Sequence, residues 1–103
     1  MDSQYSRVKR GWNRKISGAA NKAVRESKSW DDGYVVVSVD PKENLSVYHT
    51  ISGEYQQGEI PVATLRTDRD IKKTGGFDKT QVEEDIANGL LSEGVVSVAD
   101  LQD

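Results

Sequence analysis

The stretch GYVVVSVDPKENLSVYHTI, residues 33–51, decides the fold. Its first half, Tyr34 to Val39, is apolar and β-branched at almost every position. A strand of that kind carries apolar groups on both faces and belongs in the middle of a sheet. Asp40-Pro41-Lys42-Glu43-Asn44 then supplies a turn, with proline where φ is preset at about −65°. The second half alternates, placing Leu45, Val47, His49 and Ile51 on one face of a half-buried strand.

Towards the C-terminus, the polar segment 52–58 leads into a third strand from Glu59 to Thr67. Pro61 cannot donate to a ladder, which confines this strand to an edge or delays its start. Residues 34–67 thus read as a three-stranded antiparallel meander. Asp68 to Gly76 reads as a polar loop ending in a glycine pair. A helix follows over residues 78–92, cap included. Asp78 is its N-cap, Gln81 completes a capping box, and Phe77 staples to Val82. Val82, Ile86 and Leu90 form its buried stripe, and Gly94 ends it. Residues 94–98 read as a short final strand, although Ser97 and Asp100 also have the spacing of a capping box.

Towards the N-terminus, Tyr5, Val8, Trp12, Ile16, Ala19, Ala20 and Ala23 recur at steps of three and four. They occupy one arc of a helix running from about Ser3 to Lys28, so residues 1–28 form an amphipathic segment. Arg7, Arg10, Arg14, Lys15, Lys22, Arg25 and Lys28 gather on the opposite side. Gly11 and Gly18 each cost this helix ~1 kcal/mol relative to alanine, so it needs a surface to lie on. The expected whole is one α+β domain over residues 1–103, without repeats or low-complexity segments.

Composition narrows the function. The 103 residues are 35% hydrophobic and 30% charged, with no cysteine, one histidine and two prolines. Disulfides, thiolate metal sites and a cysteine nucleophile are excluded. No apolar run approaches the roughly 18 residues of a membrane span, and no apolar stretch marks a secretory signal near Met1, so the expected location is the cytoplasm or a virion. His49 lies on an apolar strand face, where a histidine is more often structural than catalytic, and no Gly-x-Ser-x-Gly elbow accompanies it. Asp68 and Asp70 have the spacing of a carboxylate pair but lack the further ligands of a calcium loop. The expectation is a non-enzyme with no metal, cofactor or small-molecule site.

The net charge of −3 hides a division. Eight bases against two acids give residues 1–28 a charge of +6, and residues 29–103 carry −9. The basic helix is therefore the feature with a physical case for binding. Its expected partner-contacting residues are Arg7, Arg10, Arg14, Arg25 and Lys28, with Tyr5 and Trp12 adding apolar contact. The leading expectation is a protein–protein interaction or assembly subunit, a small adaptor or structural protein such as a virion or mobile-element component. It would meet an acidic partner or associate with itself. The alternatives are a nucleic-acid-binding accessory protein, with weak and non-specific contacts to phosphates, and an inhibitor or immunity-type protein presenting its acidic body.

Residues 85–101, about a sixth of the chain, resemble the first helix and hairpin of helix-hairpin-helix modules: a helix, a glycine turn at Gly94 and a second cap. Val96 stands where the second hairpin glycine would be. That resemblance implies backbone contacts to nucleic acid.

Overall fold

A computed structural model describes residues 10–102 of the chain. In order, its elements are α1 (Trp12–Ser27), β1 (Tyr34–Val39), β2 (Leu45–Thr50), β3 (Ile60–Arg66), α2 (Arg69–Lys73), α3 (Lys79–Ser92) and a 3-10 turn at Ala99–Leu101. The α+β class holds. No helix among the described residues is long and apolar enough to cross a membrane.

β1 is central, as its apolar run requires, and pairs antiparallel with both neighbours in the order β2-β1-β3. A meander would have placed β2 in the middle; instead β2 and β3 lie on opposite edges and run parallel to each other. Residues 51–59 must therefore carry the chain from one edge to the other. They cross the sheet on the face away from the helices. Gly53 lies against the Tyr34 ring and Thr64. The Gln56 amide donates to the Tyr48 hydroxyl at 2.9 Å, and the Ser38 hydroxyl donates to the Glu59 carboxylate. This strap covers Val36, which is fully buried yet takes no part in the main core.

The other face of β1, with Val35, Val37 and Val39, packs under α1 and α3. α1 lies over β2 and beside α3, and α3 lies over β3. Trp12, Ile16, Ala19, Ala20 and Ala23 form the buried arc of α1, while Val82, Ile86 and Leu90 form that of α3. The small residues of α1 let its backbone sit close to the sheet, which offsets the modest number of large apolar side chains.

α3 begins and ends where its sequence signals put it. The Asp78 carboxylate accepts from the Gln81 amide at 3.2 Å. The Gln81 side chain turns forward to Asp85 at 3.1 Å. Other boundaries depart from expectation. The expected helix over residues 3–28 begins at Trp12, because Gly11 adopts a left-handed φ of 86° that a continuous α-helix does not contain. Its first part, residues 3–9, lies outside the described residues. Within the expected loop 68–76, Asp68 caps the Ile71 amide at 2.9 Å and starts the short helix α2. The expected final strand is absent from residues 94–98. The Val95 and Val96 amides instead fold back on the Leu90 carbonyl, and Ser97 and Asp100 form the reciprocal cap of the 3-10 turn. A single such turn also leaves the helix-hairpin-helix likeness without its second helix.

Two contacts lock the layers together. β3 carries a bulge, because Val37 pairs with Ala63 while Ser38 pairs with Pro61, so that Val62 is the extra residue. The bulge presses the Val62 backbone against α3 at Gly89, where an added Cβ would fall on the Val62 carbonyl. The second contact is polar. The buried Ser27 hydroxyl donates to the Val24 carbonyl at 2.7 Å and accepts from the Phe77 amide at 2.9 Å. The buried Thr67 hydroxyl donates to the Ser27 carbonyl at 3.4 Å, and the Thr67 amide donates to Gly33 at 3.0 Å. The end of α1, the end of β3 and the entry to α3 meet at this junction.

Two helix glycines should respond to alanine with opposite signs. Nothing lies within 4 Å of a Cβ at Gly18, so Gly18→Ala gains helix propensity and should stabilise by ~1 kcal/mol. At Gly89 the same gain is outweighed by overlap with backbone, and Gly89→Ala should destabilise by about 2 kcal/mol or more. Urea unfolding of both variants checks the pair, and equal signs would refute the close approach. Ser27→Ala strands the Phe77 amide and should cost about 1–3 kcal/mol in the same measurement.

Candidate interaction surface

α1 sorts its residues by the geometry of a helix laid on a sheet. With Trp12, Ile16, Ala19 and Ala23 facing down, Arg14, Lys22, Arg25 and Lys28 emerge on the far side, all exposed, and Arg10 is exposed just before the helix. The described residues contain one ion pair between them, Lys72 with Asp31 at 3.2 Å, and it involves none of these cations. Arg14 and Lys22 are eight residues apart and Arg25 follows Lys22 by three, so the cations line up along the outer face of the helix.

Four of the seven expected contact residues, Arg10, Arg14, Arg25 and Lys28, are therefore on the surface. Tyr5 and Arg7 lie outside the described residues. Trp12 does not reach a partner through its side chain: it is 1% exposed and belongs to the core of its own chain. The reason is position, since Trp12 shares the buried arc with Ile16 and Ala19. The Lys15 ammonium lies 4.5 Å from the centre of the Trp12 ring and donates to the Glu43 carbonyl at 2.8 Å. Lys15 thus ties α1 to the β1–β2 turn. In that turn the Asp40 carboxylate accepts from the Asn44 and Lys42 amides, both at 2.9 Å. The Asn44 amide is the chief reason its pKa falls below the ordinary carboxylate value.

A groove of about 280 Å³ runs between α1 and β2, with Arg14, Gly18 and Lys22 on the helix side and Asn44, Leu45 and Val47 on the strand side. The two walls run in the same direction. Lys15 meets Glu43 at one end, and at the other the Trp30 indole donates to Glu26 while stacking on His49, with ring centres 3.9 Å apart. No acid is among the described residues that line this groove. Glu83 and Glu84 line a groove between α1 and α3, and Asp78 and Asp85 line one between α3 and the β3 edge.

His49 is held as a structural residue. Its Nε2 lies 2.8 Å from the Asp32 carbonyl, to which it donates, and its ring is covered by Trp30. Asp68, half of the candidate carboxylate pair, is committed to capping α2. No group of three or more metal-ligating side chains occurs among the described residues. The groove itself was not foreseen from sequence, because it depends on which strand lies beneath α1. Its sequence trace is Gly18, a helix glycine flanked at four-residue steps by Arg14 and Lys22. Comparisons with family models, with curated proteins and with solved structures gave no match.

Proposed function

We propose that the chain is a non-enzymatic interaction protein, an adaptor or assembly subunit, that docks the basic outer face of α1 on an acidic protein surface. The observation that carries this reading is the row of exposed cations Arg14, Lys22, Arg25 and Lys28, none of them in an ion pair with a described residue. Like charges at helical neighbour positions repel, and each such pair costs an isolated helix a few tenths of a kcal/mol, about 0.2–0.5. The fold leaves that repulsion in place, since no described acid forms an ion pair with the row. An acidic partner removes it on binding and gains orientation from the row. The acidic α3 side of a second copy has the right sign for such a partner.

The reading is tested with polyglutamate as an acidic surface and a mixed-sequence DNA duplex as competitor, both titrated at low and high salt. Wild-type protein should bind polyglutamate, and the variant Arg14→Glu/Lys22→Glu/Arg25→Glu/Lys28→Glu should lose that binding with little change in thermal unfolding. Equal binding by the variant removes α1 from the surface. Tighter binding of the duplex at matched charge concentration transfers the helix to nucleic acid.

A further inference from the structure

The two edges of the sheet are treated differently by the sequence. β3 carries the usual safeguards against a further strand: Pro61 near its start, the Val62 bulge and Arg66 at its end. β2, with the sequence LSVYHT, has no proline, no bulge and no lysine, arginine or acid. Its outward groups can be identified from the ladder. Asp40 donates to Asn44 on the β2 side and Thr67 donates to Gly33 on the β3 side. Even-numbered residues of β1 therefore bond to β2 and odd-numbered ones to β3. It follows that Ser46, Tyr48 and Thr50 bond inward. The backbone N–H and C=O groups of Leu45, Val47 and His49 point away from the sheet, and no described residue meets them.

That open edge forms one wall of the α1–β2 groove. We propose that the acidic partner is engaged as an extended peptide segment that adds to β2 as a fourth strand, under the cations of α1. This inference rests on the function proposed above and specifies the form of the partner. Charge complementarity selects an acidic segment, and the unguarded edge selects a peptide, because only a backbone with its own N–H and C=O groups satisfies Leu45, Val47 and His49.

Spacing along the groove gives the recognition pattern. Arg14, Gly18 and Lys22 follow one another at four-residue steps, about 6 Å each along the helix axis. Alternate residues of a strand are separated by about 6.6 Å, and helix and strand are aligned here by the Lys15–Glu43 and Trp30–His49 contacts. A strand laid along β2 therefore presents one face with an acid opposite Arg14, a second acid four residues away opposite Lys22, and a residue midway opposite Gly18. At Gly18 the space is open, and Leu45 and Val47 offer apolar floor. The pattern is acid-x-small or apolar-x-acid.

The experiment selects binders from a displayed library of random peptides on the full chain, then measures amide hydrogen exchange with the selected peptide. Acid-x-x-x-acid sequences should be enriched, and the amides of Leu45, Val47 and His49, fast in the free protein, should become protected. Gly18→Phe, which fills the space above the strand from a position with nothing around it, should weaken the peptide at least tenfold. Acidic binders that are lost on reversing the α1 charges but leave the three amides fast would overturn strand addition and leave the docking function standing. Absence of acidic enrichment would overturn both, as would a duplex that outcompetes the selected peptide.

Discussion

The structure depends on burying one strand from both sides. β1 has Val35, Val37 and Val39 under the helices and Val36 under the strap, and each of these valines is at most 2% exposed. A strand so apolar is stable only at the centre of a sheet, so β2 and β3 must flank it. Once they do, the link between them has to span the sheet, and the strap closes the second face with the Tyr48, Ser38 and Gly53 contacts. A sheet of three strands that is covered on both faces follows from the single constraint on Tyr34–Val39.

The same constraint places the helices. Two helices side by side fill the width of three strands, so α1 takes the β2 side and α3 the β3 side. The α3 side is closed by backbone contact at Gly89 and Val62. The α1 side is held by small side chains and by Lys15, and a groove remains between helix and strand. The proposed docking surface lies on this side, the half of the sandwich where Arg14, Lys22, Arg25 and Lys28 are exposed.

What could be read in advance follows the range of the interactions. β1 and α3 were legible to the residue because an apolar run, a cap and a buried stripe are local signals. The buried arc of α1 was legible from its period, but its start was not. Gly11 reads as a tolerated helix residue until its backbone is seen to be left-handed. The meander follows from taking three successive strands as neighbours in order, although the apolar run of β1 on both faces is itself a local signal for the central place it holds in the order β2-β1-β3. The junction at Ser27 and Thr67 joins residues 40 apart in sequence, and the Gly89 contact joins a helix glycine to a bulge; neither leaves a local trace. For the surface, the cations of α1 are legible by wheel, whereas Trp12, an aromatic beside bases, satisfies a binding pattern and a core pattern alike. Only three-dimensional placement shows the second is in force.

The strand order also shapes how the chain reaches this fold. β1 and β2 are joined by a short turn, so their hairpin is a local unit of the kind that forms in microseconds. β3 pairs with β1 across a long separation, Val37 with Ala63, with residues 51–59 laid over the sheet between them. Closing that loop costs chain entropy before any β3 contact repays it. The order favours a nucleus in which the hairpin collects α1, with β3, the strap and α3 condensing later. Until they do, both edges of β1–β2 are open at once, and the interval before β3 arrives is when the nascent chain is most exposed to pairing with another of its kind.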